Sequence, residues 1–240
     1  MSDPTDTPAP DAPETAPDAA AEPAPAPAPF VPEAAELAAQ IAARLCHDFI
    51  SPASAIVSGL DLLEDPTAQD MREDAMGLIT QSARKLADML QFARVAFGAS
   101  STAETFDARE LENLAKGVFA HVRPELDWKV EPAGLNKPAA RVILNLAQIA
   151  AGALPMGGTA TLRAVEADGR VAISIEANGP RGRLKPEVLR GLQGQDRGDA
   201  VGGAWVQAYY LWLIVKGVGG QLAAETGEDR VTLAAVVPAG

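Results

Sequence analysis

The 240-residue sequence has a single cysteine, Cys46, and only two histidines, His47 and His121. Those counts exclude a disulfide framework, a cysteine-rich zinc site and a redox cysteine pair, and they fit a reducing cytoplasm. Positive charge is also scarce: 20 Lys and Arg stand against 32 Asp and Glu, giving a formal net charge of −12. Nucleic acid binding needs clustered cations against phosphate and is not expected. No apolar run is long enough to cross a bilayer, since the most apolar stretch, Trp205 to Val218, is short and interrupted by Gln207 and Lys216. The start of the chain lacks the basic residues and apolar segment of a signal peptide. The expected location is therefore cytoplasmic, away from membranes.

What is present falls into three regions. Residues 1–32 hold ten of the nineteen prolines and no Lys or Arg, so they cannot build a core and read as a disordered, acidic Pro/Ala-rich tail. Alternating Ala and Pro up to Pro29 favours extended polyproline geometry there. Residues 33–99 read as two long helices. Leu37, Ile41, Leu45, Phe49, Ile56, Leu60 and Leu63 recur at helical spacing, with Pro52 in the gap of the stripe. Asp65-Pro66 predicts the turn, with Asp65 capping a helix that starts at Pro66 and carries Met71, Ala75, Leu78, Leu86, Leu90 and Phe97 on one side. Two antiparallel helices cannot cover both stripes, so a homodimer that closes a four-helix bundle is expected.

The opposite face of the first helix carries Gln40, Arg44, His47, Ser51, Ser54 and Ser58, which turns His47 to solvent. With a tight turn at residues 65 and 66, Arg84 falls opposite His47 and Lys85 beside it. Imidazole is a competent nitrogen nucleophile at neutral pH, and nearby cations neutralise phosphoryl oxygens. His47 is thus a candidate phosphoacceptor, supported by Arg44, Arg84 and Lys85. Asp48 can orient the ring, and Ser51 can hydrogen-bond the phosphoryl group. Ile50 lies on the histidine face off the main stripe and is a candidate partner contact. Cys46 reads as partly buried filler, and His121 has no comparable cluster.

Residues 104–240 read as a mixed domain. Asp107 and Asn136 cap helices, Thr159 to Val165 and Val171 to Ile175 form a hairpin about Asp168-Gly169, and two strands follow an apolar helix starting near Ala204. That order predicts an α/β sandwich with a mainly antiparallel sheet covered on one face by helices.

His47-Asp48-Phe49-Ile50-Ser51-Pro52 resembles the H box of dimeric histidine kinases, and the second half resembles their ATP-binding (GHKL-type) domain. The nucleotide motifs differ, however. In Leu144-Asn145-Leu146-Ala147-Gln148-Ile149, the metal-chelating Asn is matched by Ile149. In Ile175-Glu176-Ala177-Asn178-Gly179-Pro180-Arg181, the adenine-recognising Asp is matched by Ala177. Gly202-Gly203-Ala204-Trp205 retains part of the phosphate-side glycine loop. The segment around His47 and the Trp205 region resemble the ChpT-type histidine phosphotransferases of alphaproteobacteria. This resemblance implies a phosphorelay transferase with no cofactor or metal of its own, Mg²⁺ being expected on the partner receiver domain. It implies a CckA-like hybrid kinase as donor and CtrA-like and CpdR-like response regulators as acceptors. An ATP-dependent histidine kinase and a non-catalytic dimeric adaptor are the alternatives.

Overall fold

The computed structural model describes residues 31–98, 104–198 and 203–240. The tail expected over 1–32 lies almost wholly outside them. Helix α1 (Ala34–Glu64) and helix α2 (Arg72–Ala96) form the antiparallel hairpin. α1 runs unbroken through Pro52, which is buried. At Gly59 the helices pack tightly: a Cβ there would come 2.6 Å from Ile79 Cγ1 and 3.2 Å from the Ala75 carbonyl oxygen. A larger residue there would have to push Ile79 aside.

The turn corrects the sequence expectation. Asp65 does not cap α2: its Oδ1 accepts from both the backbone N–H and the hydroxyl of Thr67, at 2.7 Å each, and closes a local turn instead. A short 3₁₀ turn, Gln69–Met71, follows, and Arg72 Nη1 donates to the Leu63 carbonyl at 3.2 Å. α2 therefore begins at Arg72, not Pro66. With Gly59 seated between Ala75 and Ile79, the pairing slides along α2 by more than one helical turn.

The second region contains strand β1 (Thr105–Asp107), helix α3 (Ala108–Phe119), β2 (Glu125–Val130), β3 (Gly134–Asn136) and helix α4 (Lys137–Ala153). The hairpin β4 (Thr159–Ala167) and β5 (Arg170–Asn178) comes next, then α5 (Pro186–Leu192), α6 (Ala204–Gly217), β6 (Gln221–Gly227) and β7 (Arg230–Pro238). The five-stranded sheet has the order β2-β4-β5-β7-β6, parallel only between β2 and β4. Alternate residues of its central strands are buried, among them Leu162, Ile173, Ile175, Leu233 and Val237. α4 and α6 cover that buried face, as the two-layer reading expects. Asp107 accepts from the N–H groups of Arg109 and Glu110, and Asn136 from that of Ala139, so both expected caps form. β1 and β3, which the sequence reading did not find, pair with each other and end on those two caps.

The hairpin and the α/β region share one core. Phe92, Val95 and Ala96 of α2 belong to the cluster that contains α4 and the sheet. The last carbonyls of α2 are met from the other region: Ala96 by Asn145 Nδ2 at 3.2 Å, Phe97 by the Tyr210 hydroxyl at 3.5 Å, and Gly98 by the Arg141 guanidinium. These carbonyls would otherwise lack partners at the helix end. A second apolar cluster joins Leu37 and Ile41 of α1 to Trp205, Val206 and Tyr209 of α6.

Candidate functional site

The side chain of His47 is 87% exposed on the polar face of α1. Its Nδ1 lies 3.3 Å from Asp48 Oδ1. An ionised carboxylate only accepts, so Nδ1 carries the proton in this contact and the lone pair is left on Nε2. The other oxygen, Asp48 Oδ2, accepts from Arg44 Nε at 3.1 Å, one helical turn earlier. Arg44 Nη1 donates in turn to the carbonyl of Gly203, at 2.7 Å, at the start of α6. The chain of contacts thus runs from the α/β region through a guanidinium and a carboxylate to an imidazole whose second nitrogen is open to a partner.

Two clefts meet at this histidine. The larger, about 610 Å³, lies between α1, α4, α5 and the start of α6. Arg44, Arg183, Lys185 and Arg197 line it, against the carboxylates of Asp48 and Glu187. The smaller, about 380 Å³, lies between α1, α2, the end of α3 and α4, and is mostly apolar. Lys85, Ser51 and Met89 line it beside His47.

Most of the residues expected at the site are therefore together: Arg44, His47, Asp48, Ser51 and Lys85. Arg84 is not. It is exposed and lines neither cleft, because the longer turn sets α2 in a different register and brings Met89 to the histidine instead. Ile50 is 62% exposed. Cys46 is exposed rather than partly buried. Sequence reading missed Arg183, Lys185 and Arg197. Their one signal was the arginine-rich character of the segment after Asn178, and nothing in it indicated that the fold would bring them to α1.

The positions that correspond to a nucleotide site do not fit one. Ile149, buried at the wall of the larger cleft, offers a hydrocarbon where the resemblance would call for a metal ligand. Ala177 is fully buried and offers no acceptor to an adenine amino group. Next to Ile149, the side chain of Gln148 is engaged within the protein, accepting from Gln207 Nε2 at 2.5 Å. Among the described residues, no cluster of three or more His, Cys, Asp or Glu is arranged to hold a metal ion, and no helix is long and apolar enough to cross a membrane.

Comparison with known proteins agrees with this geometry. Residues 108–230 match the histidine phosphotransferase C-terminal domain. The protein phosphotransferase ChpT of Brucella abortus (strain 2308) is 36% identical over 190 residues, 78% of this chain and 90% of that protein. A solved bacterial phosphotransferase superposes with a TM-score of 0.77 at 33% identity, covering 86% of this chain and 98% of the other. The catalytic domain of the histidine kinase ThkA gives a TM-score of 0.44 at 16% identity, over 56% of this chain and 94% of that one. An open imidazole stands on a helical hairpin backed by an α/β region, and the chain belongs to the histidine phosphotransferase family.

Proposed function

We propose that His47 carries a phosphoryl group between receiver domains, taking it from a phospho-aspartate of a hybrid histidine kinase and passing it to a response regulator. The observation that carries this reading is the polarised ring: Nδ1 on Asp48, and Nε2 without a protein partner among the described residues on an 87% exposed side chain. The Nε2 lone pair forms the new bond to phosphorus while the bond from phosphorus to the aspartyl oxygen breaks and the carboxylate leaves. The ring gains positive charge as this happens, and Asp48 stabilises it through Nδ1–H. Onward transfer reverses these steps with a second aspartate. Lys85 and Ser51, which line the smaller cleft beside His47, would meet the phosphoryl oxygens, and Mg²⁺ on the receiver would supply the metal of the step.

Val57 and Leu60 on α1, Met71 at the end of the 3₁₀ turn, and Leu78 and Leu90 on α2 are exposed apolar side chains, 36% or more accessible. A second copy of the hairpin covers them in a four-helix bundle. Ile50, three residues after His47, is left as the contact for the incoming receiver, and the carrier works in the cytoplasm.

The test is a phosphotransfer time course from a phosphorylated receiver to this protein and on to a second receiver. Label should pass through the native protein and stop in a His47→Gln variant. Passage through His47→Gln would show that the histidine is not the carrier. Label taken directly from ATP, with no receiver present, would make the protein a kinase instead.

A further inference from the structure

Gly203 has a backbone conformation that does not require glycine. Its φ of −77° and ψ of 0° lie in the right-handed helical region open to any residue. What requires glycine is space. A Cβ at this position would come 2.5 Å from Cδ, 3.2 Å from Cβ and 3.4 Å from Cγ of Arg44, so the stem of Arg44 occupies the place where a side chain would be. The carbonyl of the same residue accepts from Arg44 Nη1 at 2.7 Å. Arg44 is thus gripped by one residue of the α/β region along its stem and at its head.

We infer that Gly203 is a positioning residue for phosphotransfer: it holds Arg44, Arg44 holds Asp48, and Asp48 fixes His47 with the proton on Nδ1 and the lone pair on Nε2. Without such an anchor, an exposed ion pair between residues four apart on a helix contributes little and samples many rotamers. The guanidinium is suited to the task because it is planar and can face two acceptors at once, Asp48 with Nε and Gly203 with Nη1. A glycine that in a nucleotide-binding loop leaves room for phosphate here leaves room for an arginine stem. The α/β region thereby reaches the reacting nitrogen without touching it, as groups behind a metal-bound histidine select its tautomer.

The inference rests on His47 being the carrier, and its test separates the two. The ring nitrogens of His47 are followed by long-range ¹H–¹⁵N correlation in the full-length protein, alongside the rate of phosphoryl transfer from a phosphorylated receiver. Native protein should show the Nδ1–H form, whereas free neutral imidazole side chains favour Nε2–H. Gly203→Ala, which the backbone accepts, should displace Arg44, shift the ring toward Nε2–H and slow transfer about tenfold. Arg44→Ala should do the same, and adding Gly203→Ala to it should change neither readout further. Arg44→Lys, a point charge that reaches only one acceptor, should not restore the native tautomer. If Gly203→Ala and Arg44→Ala both leave tautomer and rate at native values, the inference is overturned while His47 remains the carrier. Should Gly203→Ala fail to fold, Arg44→Ala alone decides on the same two readouts. Passage of phosphate through His47→Gln would overturn the proposed function and this inference with it.

Discussion

His121 Nε2 lies 2.8 Å from Asp88 Oδ2, joining the turn after α3 to the middle of α2. The imidazole is largely covered, with 16% of the side chain exposed, while the carboxylate is 37% exposed. From sequence His121 had no companions, because Asp88 lies 33 residues away and only the fold brings them together. The contact fastens the hairpin to the α/β region close to the smaller cleft. Replacing His121 by Ala should lower stability by about 1 kcal/mol, the bond being charge-assisted but partly open to solvent. Urea unfolding of the two proteins measures the difference, and Asp88→Ala should match it, with the double variant losing no more than either single one.

The longer turn separates two neighbouring cations. Lys85 lines the smaller cleft with His47, whereas Arg84 is exposed and lines neither cleft. Lys85→Ala should slow phosphoryl transfer roughly tenfold if its ammonium neutralises the transferring group. Arg84→Ala should stay within about twofold of native, since a surface change away from the site costs little. Single-turnover transfer from a phosphorylated receiver distinguishes the two variants.

Asp65 titrates in a way that reports on the same turn. The hydroxyl and the N–H of Thr67 hold its carboxyl below the ordinary carboxylate range. A folded-state value below the unfolded one favours folding while the group is ionised. The contribution is complete above the unfolded value of about 3.9 and disappears as pH falls through the lower, folded value. An Asp65→Asn variant keeps an acceptor for the turn but does not titrate. Its melting temperature should fall below native at pH 7 and approach it at pH 3.

The uncovered apolar stripe gives a direct test of assembly. Val57→Asp combined with Leu60→Glu places two charges where a second hairpin would pack, and each would have to be buried unpaired. Sedimentation equilibrium should find the native protein dimeric and the double variant monomeric. Helical content of the monomer should be retained, because α2 still packs on the α/β core through Phe92, Val95 and Ala96.

Local signals were legible in the sequence and nonlocal ones were not. Asp107 and Asn136 announce helices because a cap acts within three residues. The alternation from Thr159 to Asn178 announces a hairpin because Asp168 and Gly169 both take the left-handed backbone its turn needs. β1 and β3 escaped notice because three residues carry too little period to count. Arg84 was misplaced because Asp65 has two uses for one carboxylate, to cap a helix or to close its own turn, and the choice sets the register of the hairpin. At the site, Arg44, His47, Asp48 and Ser51 share one helical face and were readable. Gly203 and the arginines of the larger cleft come from more than a hundred residues downstream and were not.

The way α2 ends bears on how the protein unfolds. Its final carbonyls are completed by Asn145, Tyr210 and Arg141, all of which belong to the other region. A hairpin cut away at residue 98 would leave those groups to water and expose Phe92 and Val95, which now lie in the common interior. Hydrogen exchange should accordingly protect the second half of α2 as strongly as α4, and heat should remove both in one cooperative transition. The α/β region is then the half of the folding unit that keeps the helix beneath the histidine in place.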